Sequence, residues 1–142
     1  MTYLAGRTIR PFAALALAAA VLLPLTGAAQ TPDPGMIKTW NAGGSGIVKL
    51  TIAQVGPNTT AHAWGSCHPT PCNWGTRAMM IFAPNVSAHV GVVGMSTFRT
   101  NFEVTTLIAT YDQSAATLTV QTLTHFTDGS GRSNYTNTVV MH

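Results

Sequence analysis

Residues 47–58, Ile47-Val48-Lys49-Leu50-Thr51-Ile52-Ala53-Gln54-Val55-Gly56-Pro57-Asn58, alternate apolar and polar side chains and then break at a Gly-Pro-Asn turn. Successive side chains of a strand point to opposite faces, so this period of two marks a half-buried strand. Val48, Leu50 and Ile52 fall on one face, Lys49 and Thr51 on the other. The same texture extends both ways along the chain. Thr is frequent, Glu and Lys are scarce, and turn signals recur about every ten residues. Strands are predicted at 37–42, 47–55, 60–67, 72–82, within 90–99, and at 102–111, 117–127 and 133–141. Each connection is short, which makes successive strands antiparallel neighbours. The expected fold is therefore all-β: an eight-stranded antiparallel up-and-down meander closed into a small barrel, which removes exposed edges. A two-sheet β-sandwich is the alternative.

The chain has 142 residues, 46% of them apolar and only 8% charged. Ordinary soluble domains carry roughly 25% charged residues. This balance supports a packed core and speaks against disorder. The N-terminal stretch reads as a secretory signal peptide: Arg7 and Arg10, the apolar run Phe12–Leu25, then Gly27-Ala28-Ala29, with cleavage near Ala29. That run is 14 residues long and contains Pro24, whereas a membrane span needs about 20 apolar residues. Removing residues 1–29 takes away two of the seven basic side chains and leaves five against four acidic ones, a net charge of +1 in place of +3. No basic patch survives to neutralise phosphates, which excludes nucleic acid as a partner. The expected division is a signal peptide over 1–29, a mobile leader over 30–35 and a single β-barrel domain over 36–142, secreted or periplasmic.

Cys67 and Cys72 both lie in the exported part, where two nearby thiols become a disulfide. They close the hairpin Ala63-Trp64-Gly65-Ser66-Cys67-His68-Pro69-Thr70-Pro71-Cys72-Asn73-Trp74-Gly75. If the cysteines face each other, Trp64 lies opposite Gly75 and Trp74 opposite Gly65, each indole covering a glycine. Trp74 then shares an apolar, core-facing side with Ala61, Ala63, Ala78, Met80 and Phe82. Trp64 shares the other side with His62 and, opposite it, Arg77, facing solvent, a ligand or another subunit.

The hairpin pattern Ala63-Trp64-Gly65-x-Cys67-x-Pro69-Thr70-x-Cys72-x-Trp74-Gly75, together with Thr124–Asp128 and Gly131–Tyr135, resembles an uncharacterised group of small bacterial secreted domains. That group commonly has acidic residues where Pro71 and Asn73 stand here. The resemblance covers nearly the whole exported chain and implies export without implying an activity. The architecture is also similar to avidin-like and lipocalin-like barrels, with Trp40 near the start of the first strand and Lys38 where those barrels usually have Gly.

Five histidines, His62, His68, His89, His125 and His142, show no metal-ligand spacing, and only a cross-strand pair such as His62 with His125 offers a metal reading. No motif frames a serine as nucleophile. Asp112 and Asp128 read as turn residues, so paired carboxylates for hydrolysis are lacking too. No catalytic residue, cofactor or metal is expected. Asp128, Arg132, Asn134 and Tyr135 gather polar groups at one end of two adjacent strands, where a rigid scaffold displays binding loops. The candidate ligand-binding residues are thus His62, Trp64, Arg77, His125, Asp128, Arg132, Asn134 and Tyr135. The functional expectation is a secreted, non-enzymatic module that binds a small neutral ligand or a carbohydrate. A self-assembling structural or cell-surface-associated protein is the alternative, ahead of a hydrolase or a metal-binding protein.

Overall fold

The computed structural model describes residues 30–142, so the expected signal peptide and its cleavage site lie outside the described residues. The chain is all-β. Its strands are β1 (Thr31–Pro32), β2 (Thr39–Asn41), β3 (Ile47–Val55), β4 (Asn58–Gly65), β5 (Cys72–Ala78), β6 (Met80–Phe82), β7 (Val90–Gly91), β8 (Val93–Arg99), β9 (Glu103–Asp112), β10 (Thr117–Phe126) and β11 (Tyr135–Met141). Two antiparallel sheets follow chain order: β2-β3-β4-β5, and β6-β8-β9-β10-β11. The turns are those the composition marks. Asp112, for example, accepts hydrogen bonds from the Ser114 amide and hydroxyl and from the Ala115 amide, and these hold its carboxyl below the usual carboxylate range.

Two bulges correct the expected side-chain alternation. A register shift between Ile47 and Lys49 buries Ile47, where Val48 was expected to face the core. A second shift lies between Ala63 and Trp64 as they pair with β5: Ala63 faces Gly75 and Trp64 faces Asn73. Gly75 has φ +80°, the left-handed conformation that a side chain resists and a bulge often needs. The extra residue reverses the parity beyond it. Ala78, Met80 and Phe82, expected in the core, are exposed, the latter two at 59% and 40%, while Met79 and Ile81 turn inward.

At Met79 the chain leaves one sheet and enters the other. The Met79 amide donates to the Thr59 carbonyl in the first sheet (2.8 Å), and the Ser96 hydroxyl in the second donates to the Ala78 carbonyl (2.8 Å). Between the sheets, Leu50, Ile52, Ala61 and Ala63 meet Phe98, Leu107, Ala109, Leu118, Val120 and Met141. Burying these side chains supplies the main drive to fold. Trp40 is fully buried in this core. Its Nε1 donates to the Met36 carbonyl at 3.0 Å, and its ring meets Tyr111 edge-on at 5.8 Å.

The leader over 30–35, expected to be mobile, is instead hydrogen-bonded into the fold. β1 pairs in parallel with β7, and the Gln30 side chain accepts from the Ala83 amide. Asp33 caps a 3₁₀ turn over Pro34–Met36 by accepting from the Gly35 amide, and also accepts from the Gln113 side chain. Prolines here do not prevent docking, because the amides of Thr31 and Asp33, flanking Pro32, make the bonds.

Replacing Trp40 by Ala should lower the unfolding free energy by about 3–5 kcal/mol, the range for truncating a large aromatic in a core. Trp64→Ala should cost about 1 kcal/mol, because its ring packs only against surface neighbours. Urea unfolding of both variants checks this. Equal losses would mean that Trp40 does not anchor the core.

Candidate functional site

A cleft of ≈ 600 Å³ opens at one end of the two sheets. Three connections and the start of one strand converge on it. Ser45 and Gly46 come from the β2–β3 loop, Ser66 and Cys67 from the disulfide loop, Thr100 and Phe102 from the β8–β9 turn, and Tyr135 and Asn137 from the start of β11. Trp74 and Glu103 line it as well. Loops held on a rigid sheet are where binding groups are usually placed.

Trp74 owes its position to two glycines. The bulge at Gly75 turns the indole towards the core, where it packs against Phe98 at 5.8 Å between ring centroids. Gly65 lets it lie flat: a Cβ there would come within 2.7 Å of the ring. The indole covers Gly65, as expected, although its backbone partner is not Gly65, which pairs with Cys72. The Cys67–Cys72 disulfide is formed and borders the cleft.

On the opposite wall, β9 and β10 pair Glu103 with Phe126 and Thr105 with Thr124, and β11 sets Tyr135 against Thr124. Paired residues share a face, so Glu103, Thr105 and Thr124, with Thr122 and Asn137, give this end of the interior a polar wall. The Thr105 and Thr124 hydroxyls are buried and bond each other at 3.0 Å. Glu103 is held by a tight turn: the Thr100 amide donates to its carbonyl (3.0 Å), and its own amide donates to the Thr100 hydroxyl (3.2 Å).

The residues expected to bind ligand are distributed over separate places, and only Tyr135 of them lines this cleft. His62 and Trp64 lie on the outer face, stacked at 3.9 Å with planes 3° apart, and the Lys49 ammonium lies 3.9 Å from the Trp64 ring centroid. The Asn73 Oδ1 accepts from the Gly75 amide (2.8 Å) and meets His62 Nε2 at 2.7 Å, so Nε2 carries a proton. In the neutral ring Nδ1 then accepts from the Thr76 hydroxyl at 3.1 Å. These groups are satisfied by one another, and they lock β4 to β5. Arg77 does not join them. The bulge moves it opposite Ala61, and its guanidinium donates to the Thr76 carbonyl.

His125 and Asn134 line a shallow groove of ≈ 450 Å³ on the outside of β9–β11, with Leu123 and one side of Tyr135. Asp128 and Arg132 pair within their own turn at 2.6 Å. Arg132 also lies 3.9 Å from the Phe126 ring centroid and 5.4 Å from that of Phe102. Among the described residues no group of three or more His, Cys, Asp or Glu could hold a metal ion, and no helix is long and apolar enough to cross a membrane.

Sequence reasoning missed Trp74, Phe102, Glu103 and Asn137 as site residues. Strand parity carried forward from the Glu103–Phe126 pair could have found Glu103, since it shares the face of buried Thr105 and Leu107. In sequence Trp74 reads as a packing residue, and its half-burial is set by the Gly75 bulge.

Hydrogen bonds from the Ser130 hydroxyl and amide, with help from Arg132, lower the Asp128 carboxyl from 3.8 to about 2. A depressed carboxylate stabilises the folded turn fully above the unfolded value, and that stabilisation disappears as pH falls through the folded one. NMR titration of Asp128 should therefore find a midpoint near 2, and the stability difference between the protein and Asp128→Asn should be present above 3.8 and vanish as pH falls through about 2. A midpoint at 3.8 would show the turn to be open in solution.

Comparison with protein-family models, with curated proteins and with solved structures found no match for this chain.

Proposed function

We propose that this chain is an exported, non-enzymatic binding domain whose ligand is a small, hydroxyl-rich molecule of the sugar type, held in the cleft between Trp74 and the polar wall of β9–β11. The observation that carries this reading is the half-buried Trp74 indole, which lines a concave site together with Ser45, Ser66, Asn73, Asn137 and Glu103. A sugar ring has apolar C–H faces and a hydroxyl edge. It matches a site with one flat aromatic surface and convergent amides, hydroxyls and a carboxylate. The disulfide supports an oxidising compartment. The resemblance of the tryptophan–cysteine hairpin to small bacterial secreted domains supports export in the same direction.

Titrating the protein with β-1,4-linked glucose, glucosamine and N-acetylglucosamine oligomers, followed by tryptophan fluorescence, tests the reading. Binding of at least one should change the emission and should weaken by about tenfold or more in Trp74→Ala, as expected when a stacked ring is lost. It should survive in Trp64→Ala, whose ring is outside the cleft. No response to any oligomer, or a response lost only with Trp64, would overturn the proposal.

We also infer that the two sheets close into the expected barrel. Asn41 and His142, on the free edges of β2 and β11, exchange backbone hydrogen bonds at 3.0 Å in both directions. Continued in that antiparallel register, Gly46 falls opposite Asn137, and a Cβ on Gly46 would come within 2.7 Å of the Asn137 side chain. Such a seam leaves no open edge between β2 and β11. Amide hydrogen exchange tests it: the Asn41 and His142 amides should be protected to the same degree as those inside the sheets. Exchange at the rate of free loops would leave two open-edged sheets.

A further inference from the structure

The cleft has a charge pattern that narrows the ligand. Among the described residues Glu103 is the one charged side chain that lines it, and no lysine, arginine or histidine does so. The Glu103 carboxylate forms no ion pair among the described residues, where the single salt bridge joins Arg132 to Asp128. The nearby cation is occupied: the Arg132 guanidinium bonds Asp128 and Ser130 and covers Phe126. Glu103 itself sits on a fixed stretch of main chain. Its backbone is pinned on both sides by Thr100, and the Phe102 carbonyl before it accepts from the Thr127 amide at 2.8 Å.

Trp74, Phe102 and Tyr135 line the same space. Aromatic faces carry negative potential and attract organic cations. A half-buried carboxylate beside them adds direct Coulomb attraction in a medium less polar than water. Aromatic rings with a lone carboxylate and no competing cation together favour an ammonium group over a neutral or anionic one.

We propose that the ligand is an amino sugar with a free ammonium group, its ring stacked on Trp74 and its ammonium paired with Glu103. This deepens the sugar reading and rests on it. An N-acetylated sugar of the same shape has the stacking face but no charge, so it separates the two ideas.

The test is calorimetric titration with two probes, the β-1,4-linked tetramers of glucosamine and of N-acetylglucosamine, at a pH where the amines are protonated. The glucosamine tetramer should bind about tenfold or more tightly than the acetylated one, the factor expected for a charge-assisted hydrogen bond. Raising the salt concentration should shrink that preference. In Glu103→Gln, which keeps shape and removes charge, the two affinities should fall within about twofold of each other. Equal binding of the two tetramers by the unaltered protein would overturn the amino-sugar inference and leave the sugar reading standing. A preference that persists in Glu103→Gln would overturn the role of Glu103. Failure of both tetramers and of the glucose oligomer to bind would overturn both proposals together.

Discussion

The lie of the Trp74 indole across Gly65 organises both the fold and the cleft. A side chain at Gly65 would strike the ring at 2.7 Å, so the contact exists only because that residue has no Cβ. To reach it, β5 carries one extra residue, Trp74 itself, between the paired Asn73 and Gly75, and Gly75 takes the left-handed conformation at φ +80°. Asn73 stabilises the distortion by accepting from the Gly75 amide. The bulge then sets the facing of the next several residues. Met79 and Ile81 turn inward, the chain crosses from the first sheet to the second at Met79, and β6 pairs with β8 rather than prolonging β5. Corners where a strand changes sheets are often built on bulges.

The two ends of the interior are finished differently. At one end the N-terminal segment forms a plug: Met36 is buried, its carbonyl accepts from Trp40, and Gly35 sits so close to Tyr111 that no side chain fits between them. Tyr111 stands at the opposite end of β9 from Glu103. At that other end the interior face carries hydroxyls and amides instead of large aliphatic groups. Buried hydroxyls need partners, and Thr105 and Thr124 find them in each other. An apolar plug at one end thus contrasts with a polar, partly open cleft at the other.

Most of the strands were legible in the sequence because turn chemistry is local. Gly56-Pro57, Asp112–Ser114 and Asp128–Gly131 each signal a turn from their own side chains, and β3 runs from Ile47 to Val55 as its alternation predicts. The disulfide needed only compartment and proximity. Bulges are different, because an extra residue is specified by its partner strand. Gly75 inside 72–82 is compatible with a bulge or with a close approach, and which residue is extra, Trp74, is set only by the pairing with β4, so one misplaced residue sends Met80 and Phe82 to the wrong face. The site shared this weakness. His62 and Trp64 were correctly placed together on the outer face, yet they serve to tie β4, β5 and β3 through Asn73, Thr76 and Lys49. The docking of 30–35 was also hidden, since its partners, Val90 and Gly91, lie some sixty residues away.

The outer stack and the inner cleft are coupled through one residue. Asn73 uses its side-chain oxygen for both the Gly75 amide and His62, and its own position lies between Cys72 of the disulfide and Trp74. The polar network on the outside therefore holds the backbone that aims the indole on the inside. A low-charge surface has few ion pairs with which to fix a loop, and exposed pairs contribute little in any case. Short hydrogen bonds from an amide, a stacked imidazole and a five-residue disulfide step replace them. This accounts for a polar cluster that looks like a binding site in sequence: its chemistry is the same, but the partner it recognises is the neighbouring strand.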